Sequence, residues 1–586
     1  MIYLLLFLLS AGLNILLGLH QWPSVLAGNL QDPDSYMRLL RIEQGVHLGH
    51  LVTTVSGDDS GAGVMVEWSR LLDMIIWLFA APLAPLIGWH KALFTAGVAL
   101  GPLGVGALGV SLAWAVEPLA VRRYLWAAAA CAAILPALAS IAPPGVVHYH
   151  VAQLVLISLT AGCVLRAVHG DLWFGFLAGL SGGFAIWMTP ETMPFVLMAY
   201  AALALRWLYV PNATALLATA AGCFDVLVVG FFIDPPAGGY AIPEIDRLSY
   251  VYVTLGLILL ASSAVLTRIQ VKAKAATWRG PLGLAVMGVP LAGWIAVFPG
   301  VIKGPSGLLP PNELKTFFGV ITEQIAPHGW ELIVFLLPGA WAVLYAALRA
   351  WHERKQNCAN LVETSLLGAR PRSPLAWAYV ALCAAVALAL GVGYLLFTSF
   401  SAIFAAALLP IALSEIEAKG GRLAAGRRIG LLALILLVPF LAAEAKGRAI
   451  PPSRPGKAYP SCSLRHIAPL LAPAAGQVVL AQPEDTPELL YRSHIEAVGS
   501  LYEHGVPAFM KDRAAWRAAP GRSEPRAVVA TGASYVLFCP KPGRYLLVAD
   551  LPPHTLWDTL DKGNVPPWLR AIGHDAAGWT LYKIVP

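Results

Sequence analysis

Charged residues are scarce in this chain, and that scarcity is the first limit on what it can be. Asp, Glu, Lys and Arg make up 12% of the 586 residues, whereas hydrophobic residues make up 58% and the mean hydropathy is +0.67. A soluble chain carries about twice that charged fraction. The composition therefore excludes an ordinary soluble protein and predicts a chain that crosses a membrane many times.

Cysteine is also rare, and its placement is uneven. Only Cys462 and Cys539 lie in the more polar C-terminal region, while the other five of the seven lie in or beside apolar runs. No CxxC pair, Walker loop or Rossmann glycine fingerprint occurs, which argues against the corresponding metal and nucleotide sites. Two cysteines in an exported domain favour one disulfide, although two buried free thiols would leave the same pattern.

Basic residues exceed acidic residues, but their positions are more informative than their number. The formal net charge is +7, and Lys and Arg gather in short segments between the apolar runs. This clustering is typical of cytoplasmic loops in membrane proteins. It predicts a cytoplasmic N-terminus and gives no support for a nucleic-acid partner.

Thirteen long apolar runs are interpreted as membrane crossings. A fourteenth run, residues 71–88, contains Pro82 and Pro85 and begins among charged residues, so we expect a helix that lies in the interface or re-enters the membrane. An odd number of crossings places the C-terminal region on the outer side. The predicted crossings are 2–19, 92–117, 124–142, 151–168, 172–189, 193–209, 213–233, 250–267, 281–299, 331–349, 375–396, 400–416 and 429–445.

The composition changes from about Ala449, where the chain becomes rich in proline and then mixed polar. Strand-like runs at 477–481, 527–530, 534–538 and 545–548 alternate with turn signals. The predicted fold class is thus an α-helical polytopic membrane protein with a C-terminal α/β domain on the outer side. Its two parts are a membrane domain at 1–448 and a soluble domain at 449–586.

Asp32 and Asp34 stand one residue apart, directly after the first apolar run. Carboxylates near hydrocarbon are costly, so such a pair is typical of a water-filled cavity that serves a cation, a proton or a substrate. An ordinary turn is the alternative, with Asp34 capping a helix that begins at Ser35.

Further polar residues gather at loops and span edges on the same predicted side. The spacing of Glu67, Arg70 and Asp73 places them on one helical face, which either borders a substrate path or is the wet side of an amphipathic helix. Arg38 either contacts a phosphate or pairs with Asp34 at i,i+4. Other candidates for substrate or phosphate contacts on this side are Tyr36, Gln153, Glu191, Lys303 and Lys315, and two histidines, His148 and His150, lie after the third predicted crossing.

These motifs resemble those of the catalytic subunits of oligosaccharyltransferases, and more broadly the GT-C superfamily of glycosyltransferases that use polyprenyl-phosphate-linked sugars. Asp32 and Asp34 match the DxD motif of the first outer loop, and Ile321-Thr322-Glu323 is similar to a short motif ending in Glu in the long loop 300–330. The layout of thirteen spans, an interfacial helix and an outer C-terminal domain is similar over the whole chain.

Two departures from that family affect the expected chemistry. His148-Tyr149-His150 occupies the place of the second acidic motif, so the family's dependence on a divalent metal (Mn, Mg or Zn) does not carry over directly. If a metal is bound, imidazole ligands favour Mn or Zn. The Trp-Trp-Asp-Tyr-Gly signature that reads a glycosylation sequon is absent from 450–586, and Trp557-Asp558 does not replace it. Transfer to asparagine is therefore disfavoured.

The resemblance implies roles for the candidate residues. Asp32 or Asp34 would be the catalytic base, with Glu323 holding acceptor and metal. His148 and His150, with Asp34, would be metal ligands.

The resemblance likewise implies a bacterial inner-membrane glycosyltransferase with its site in the outer loops 20–91 and 300–330. It would move a sugar from a polyprenyl-phosphate-linked donor to a glycan, lipid or protein acceptor on the periplasmic side. A transporter or flippase is the alternative, but its acidic residues would lie near the bilayer midplane and in repeated halves. The sequence shows no internal repeat and does not indicate an oligomeric state.

Overall fold

A computed structural model describes residues 1–210, 212–269, 276–304, 309–359, 374–421, 423–449, 460–540 and 554–585. Ten of its helices are long and apolar enough to cross a membrane, which confirms the polytopic helical class. They are Trp89–Val116, His150–Ala167, Pro190–Tyr209, Thr214–Ile233, Tyr250–Ile269, Trp278–Val297, Leu332–Lys355, Pro374–Gly393, Phe397–Ala418 and Ala424–Ala445.

The three other predicted crossings coincide with shorter apolar helices. Ile2–Leu17 and Leu172–Met188 are helices of 16 and 17 residues. The run 124–142 is divided into Leu125–Ile134 and Pro136–Ala139. Leu135 between them has an extended backbone, since a residue before proline is disfavoured from helical geometry. A count of thirteen crossings therefore includes two short helices and one broken helix.

The segment 71–88 forms two short helices, Leu71–Ala80 and Ala84–Ile87. Ten helical residues span about 15 Å, roughly half the hydrocarbon thickness of a bilayer. Trp77, Leu78 and Phe79 are exposed on the longer helix. These dimensions agree with a segment that does not cross.

The C-terminal α/β domain (460–540 and 554–585) is built on a five-stranded sheet. Strands β1 (Thr54–Val55) and β2 (Val64–Met65) form a separate hairpin in the loop 20–91. The main sheet has the order β4-β3-β5-β7-β6, parallel across β4, β3 and β5 and antiparallel across β5, β7 and β6. Its strands are β3 (Val478–Leu480), β4 (Glu496–Ala497), β5 (Tyr535–Phe538), β6 (Leu569–His574) and β7 (Thr580–Ile584).

The predicted strands of this domain have mixed outcomes. Those at 477–481 and 534–538 correspond to β3 and β5. The strand at 527–530 is wrong, because Pro525 precedes a helical turn at Arg526–Val529. The strand at 545–548 lies outside the described residues. β6 and β7 were not predicted. Helices Ala468–Leu471, Thr486–Arg492, Val506–Arg517 and Leu556–Asp561 complete the domain.

Cys462 and Cys539 form a disulfide, as the sequence favoured. The domain is also tied to the loop 20–91, which contains the helix Pro33–Leu48. Arg492 donates hydrogen bonds to the Gly28 carbonyl and to the Tyr36 hydroxyl. The Ala497 amide donates to the Gly57 carbonyl. These contacts hold the domain over the loop that carries Asp32 and Asp34.

Candidate functional site

A cavity of about 470 Å³ lies where the loops 20–91 and 300–330 meet the C-terminal domain. Its walls come from the start of helix Pro33–Leu48, the starts of four membrane helices, the loop before Leu332–Lys355, and the C-terminal domain. Nine of the predicted site residues line it: Asp32, Asp34, Arg38, Glu67, His148, His150, Glu191, Lys303 and Glu323. The structure therefore brings together residues that are distant in sequence.

Asp32, and not Asp34, is the N-cap of the helix Pro33–Leu48. Its carboxylate accepts hydrogen bonds from the Ser35 amide and hydroxyl. Proline suits the first helical position because its missing N–H would have no partner there. The alternative of an N-cap at Asp34 is therefore wrong, because the cap lies two residues earlier at Asp32. The Asp34 side chain takes no part in capping and lines the cavity.

Asp32 and Asp34 both lie beside His148. Nε2 of His148 is 2.8 Å from Oδ1 of Asp32 and 3.8 Å from Oδ2 of Asp34. Burial opposes the charged imidazole, but the neighbouring carboxylates, Asp32 first, outweigh it and raise the pKa of His148 to about 9. Burial acts against the charge of Asp32 as well, yet His148 and the Ser35 donors lower its pKa.

Asp34 has the opposite electrostatic setting from Asp32. Burial is the main cause that raises its pKa to about 6, and the charges of Asp32 and Glu323 add to that rise. His148 and a hydrogen bond from the Tyr502 hydroxyl to Oδ1, 3.1 Å long, act in the other direction. A carboxyl with this pKa is suited to accept a proton near neutral pH.

Glu323 and His150 form the second pair of the cavity. Nε2 of His150 is 3.3 Å from Oε1 of Glu323. Burial would raise the pKa of Glu323, but His150 and His148 lower it to about 2. The Leu396 amide donates to the Glu323 carbonyl, which fixes the backbone at this point. Gln153 lies one helical turn after His150, and its Nε2 is 3.4 Å from Nδ1 of that histidine.

His148, His150 and Glu323 could together hold a metal ion. One ligand atom from each lies within 4.8 Å of the others. Two imidazole nitrogens and a carboxylate oxygen suit Zn or Mn better than Mg. The residues present therefore fit a divalent metal.

Arg38 is committed to the protein itself. Its Nη1 is 2.9 Å from Asp73 Oδ1, its Nε donates to the Val147 carbonyl, and its guanidinium lies 4.5 Å from the centre of the Trp68 ring. Arg41 pairs with the second oxygen of Asp73. The predicted alternative of an Arg38–Asp34 pair is wrong, because Asp73 takes that position.

Glu67, Arg70 and Asp73 do not share a helical face. The helix begins only at Leu71, so Glu67 lies in the loop before it. Arg70 forms a buried ion pair with Asp234 and does not line the cavity. Glu67 lines the cavity, and burial raises its pKa.

Of the other predicted contact residues, two line the cavity, whereas Tyr36, Gln153 and Lys315 do not. Glu191 and the exposed Lys303 line the cavity. Tyr36 does not: its hydroxyl accepts from the Leu30 amide and from Arg492. Lys315 is exposed on the helix Pro311–Phe318, outside the cavity lining.

Sequence reasoning missed the residues that the C-terminal domain and the loop after Ile233 bring to the cavity. Tyr502 and Glu503 follow β4, and Asp246 lies in the loop before Tyr250–Ile269. None of the three belongs to a motif, so only the tertiary structure shows that they reach the cavity. His504 lies 2.6 Å from Asp246 and links the two segments.

No family model and no curated protein match the chain. Solved structures of an oligosaccharyltransferase from Archaeoglobus fulgidus are similar to it. The form tethered to an acceptor peptide with an NVT sequon gives a TM-score of 0.65 at 13% identity, covering 100% of this chain and 74% of that chain.

Two further forms of that archaeal enzyme give similar values. The complex with Zn and sulfate has a TM-score of 0.63 at 14% identity, covering 92% of this chain and 67% of that one. The complex with an inhibitory peptide and a dolichol-phosphate has a TM-score of 0.62 at 12% identity, covering 91% and 69%. At these identities the likeness establishes the fold. The chain has the GT-C-like fold predicted from its sequence, a polytopic helical part with a C-terminal domain.

Proposed function

We propose that the protein is an integral membrane glycosyltransferase. It moves a sugar from a polyprenyl-phosphate-linked donor to a glycan, lipid or protein acceptor on the periplasmic side of a bacterial inner membrane. The observation that carries the proposal is the convergence of Asp32, Asp34, His148, His150 and Glu323 in one cavity of a GT-C-like fold. The archaeal enzyme with this fold has been solved with a dolichol-phosphate and with an acceptor peptide, which supports a lipid-linked donor.

Asp34 acts as the base in this proposal. Its carboxylate takes the proton of an acceptor hydroxyl or amine as that group attacks the anomeric carbon of the donor. The bond from the anomeric carbon to the phosphate oxygen breaks, and the electron pair leaves with the lipid phosphate. Asp32 is less suited to this step, because it caps the helix and is paired with His148.

The charge that develops on the leaving phosphate needs a positive partner. His148, with its raised pKa, supplies one, and Lys303 is a second at the cavity edge. When a divalent ion is bound, His148 would be neutral and would hold the ion together with His150 and Glu323, so the ion would supply the charge stabilisation in place of the imidazolium. Arg38 contributes by fixing the loop geometry through Asp73.

The proposed class of acceptor follows from the missing Trp-Trp-Asp-Tyr-Gly signature. Residues 450–586 lack the sequon-reading signature, so a glycan, a lipid or a protein acceptor other than a sequon asparagine is favoured. Glu503 and Tyr502 place the C-terminal domain at the cavity wall, where it contacts the acceptor.

The test is a transfer assay with the purified protein in liposomes. Polyprenyl phosphates carrying different labelled sugars are supplied as donors, with envelope extract as acceptor. We expect one donor to lose its sugar to a product, and Asp34→Ala to lower the rate by about 10²- to 10⁴-fold while membrane insertion is unchanged. Glu313→Ala is the matched control, since Glu313 lies on the outer loop but outside the cavity lining.

Two outcomes contradict the proposal. Equal product yield in wild type and Asp34→Ala removes the proposed base. Movement of an intact lipid-linked sugar across the liposome without any new glycosidic bond indicates the transporter alternative.

A further inference from the structure

We propose that Tyr502 of the C-terminal domain is a positioning residue for the Asp34 carboxylate, so that the full activity of the cavity depends on the docking of this domain. The inference rests on the proposed function, in which Asp34 is the base. It concerns a residue that lies 468 positions after Asp34 in the chain.

The contact itself is direct. The Tyr502 hydroxyl donates to Oδ1 of Asp34 over 3.1 Å, and Oδ2 of the same carboxylate faces His148 at 3.8 Å. The two oxygens of Asp34 therefore have different neighbours from different parts of the chain. The Tyr502 hydroxyl thus fixes the orientation of the carboxylate relative to His148.

Tyr502 is itself held firmly by packing. Its side chain is 2% exposed and belongs to a hydrophobic cluster with Met37, Val55, Val64 and Trp68. The Tyr502 and Trp68 rings meet edge to face, with centroids 5.3 Å apart. An aromatic ring fixed on several sides keeps its hydroxyl at one place, which is what precise positioning of a carboxylate requires.

Trp68 connects this contact to the buried charges beneath the cavity. Its ring lies against Tyr502 on one side and near the Arg38 guanidinium, which is paired with Asp73, on the other. Successive contacts thus connect Asp73 through Arg38, Trp68 and Tyr502 to Asp34. Removal of the Tyr502 hydroxyl alone breaks only the last of these contacts, the one to Asp34.

The same domain also anchors the loop that carries Glu323. Phe317, on the helix Pro311–Phe318, is completely buried in a cluster of the C-terminal domain, with its ring centroid 5.5 Å from that of Phe509. One domain thus contacts Asp34 directly and supports the segment leading to Glu323. The membrane domain without the C-terminal domain would lack both of these supports.

The activity test compares Tyr502→Phe with wild type in the liposome assay. We expect a kcat lower by roughly tenfold with KM changed by less than about twofold, because the substitution removes one hydrogen bond to a charged group and no ring contact. Tyr491→Phe is the matched control: its ring packs against Tyr36 and His90, and its hydroxyl has no hydrogen-bond partner among the described residues. This control should retain the wild-type kcat.

A double-mutant cycle separates positioning from a purely structural role. Combined with Asp34→Asn, Tyr502→Phe should cause little further loss of the residual rate, because both changes disturb the same group. A general loosening of the protein would instead lower the rate by the same factor in either background. That additive result, or an unchanged kcat in Tyr502→Phe, overturns the inference.

A structural comparison does not depend on the identity of the substrate. In high-resolution maps, the Asp34 side chain should occupy one position in wild type and a shifted or divided position in Tyr502→Phe, with the ring at 502 unmoved. An Asp34 that is unmoved in the variant contradicts the inference even if no donor is ever turned over. Absence of transfer by the wild type, in contrast, contradicts only the proposed function.

Discussion

His148 Nε2 lies 2.8 Å from Asp32 Oδ1, although 116 residues separate the two in the chain. The contact joins the cap of the first outer helix to the segment just before the membrane helix His150–Ala167. The histidine stands where the family that the sequence resembles has an acidic motif. Without a bound metal, the carboxylates of Asp32 and Asp34 favour the protonated form of His148.

Metal binding provides the first prediction. The purified protein should bind about one Zn per chain after dialysis against Zn and removal of excess, measured by elemental mass spectrometry. His150→Ala and Glu323→Gln should weaken binding at least as much as the roughly 10- to 100-fold typical for loss of an outer-sphere partner. His90→Ala is the control, because His90 pairs with Glu43 outside the cavity. Equal Zn content in all four proteins would rule out this ligand set.

Phe317 provides a second prediction, on the loop before Glu323. Phe317→Ala should cost about 3–5 kcal/mol of packing, enough to detach the loop from the C-terminal domain. Limited proteolysis should then cut the loop faster, and transfer should fall with little change in the melting of the helical part. Phe318→Ala, at a half-buried neighbour, should have a smaller effect. Equal cleavage rates in both variants would show that Phe317 does not hold the loop.

Asp58 gives a prediction on pH. Burial raises its pKa to about 6 from the ordinary value of 3.8, against hydrogen bonds from Ser500 and the Asp59 amide. The folded protein therefore binds this proton more tightly than the unfolded chain, so stability decreases as pH rises from about 4 to about 6 and stays reduced above that range.

The check is thermal unfolding in detergent at several pH values. Asp58→Asn should gain about 1–3 kcal/mol relative to wild type at pH 7.5 and nothing at pH 4, because amide and protonated carboxyl are both neutral. Asp512, fully buried nearby with a raised pKa, and Asp59 remain in both proteins. A constant difference between variant and wild type at every pH would contradict the prediction.

Topology gives a fourth prediction. Three membrane helices lie between Glu313 and Lys419, so the two positions should face opposite sides. With Cys358→Ser as background, Glu313→Cys should react with an impermeant maleimide from outside, and Lys419→Cys only after permeabilisation. The four free cysteines Cys131, Cys163, Cys223 and Cys383 are buried and should stay silent. Labelling of both positions from one side would overturn the outward placement of the cavity.

The sequence was informative where function depends on local motifs. Asp32, Asp34, His148, His150 and Glu323 were identified from their positions after apolar runs and from the family resemblance, and the structure brings all five to one cavity. Their catalytic and metal roles remain predictions.

Features that depend on tertiary packing were not readable from the sequence. Arg38 pairs with Asp73, which lies on a different helix, and spacing along the chain does not reveal that contact. Tyr502 reaches Asp34 only through the docking of a distant domain. Val528 and Val529 favoured a strand, but Pro525 starts a helical turn there.

The hydrogen bond between Tyr502 and Asp34 also has a consequence for biosynthesis. A ribosome that adds roughly 5–20 residues per second needs about 25–90 s to make the 468 residues between them. During that interval the acidic loop has already emerged while the tyrosine has not been made. The loop that carries Asp34 is therefore made well before the domain that carries Tyr502, and a chain that stalls before residue 502 lacks the hydrogen bond to Asp34.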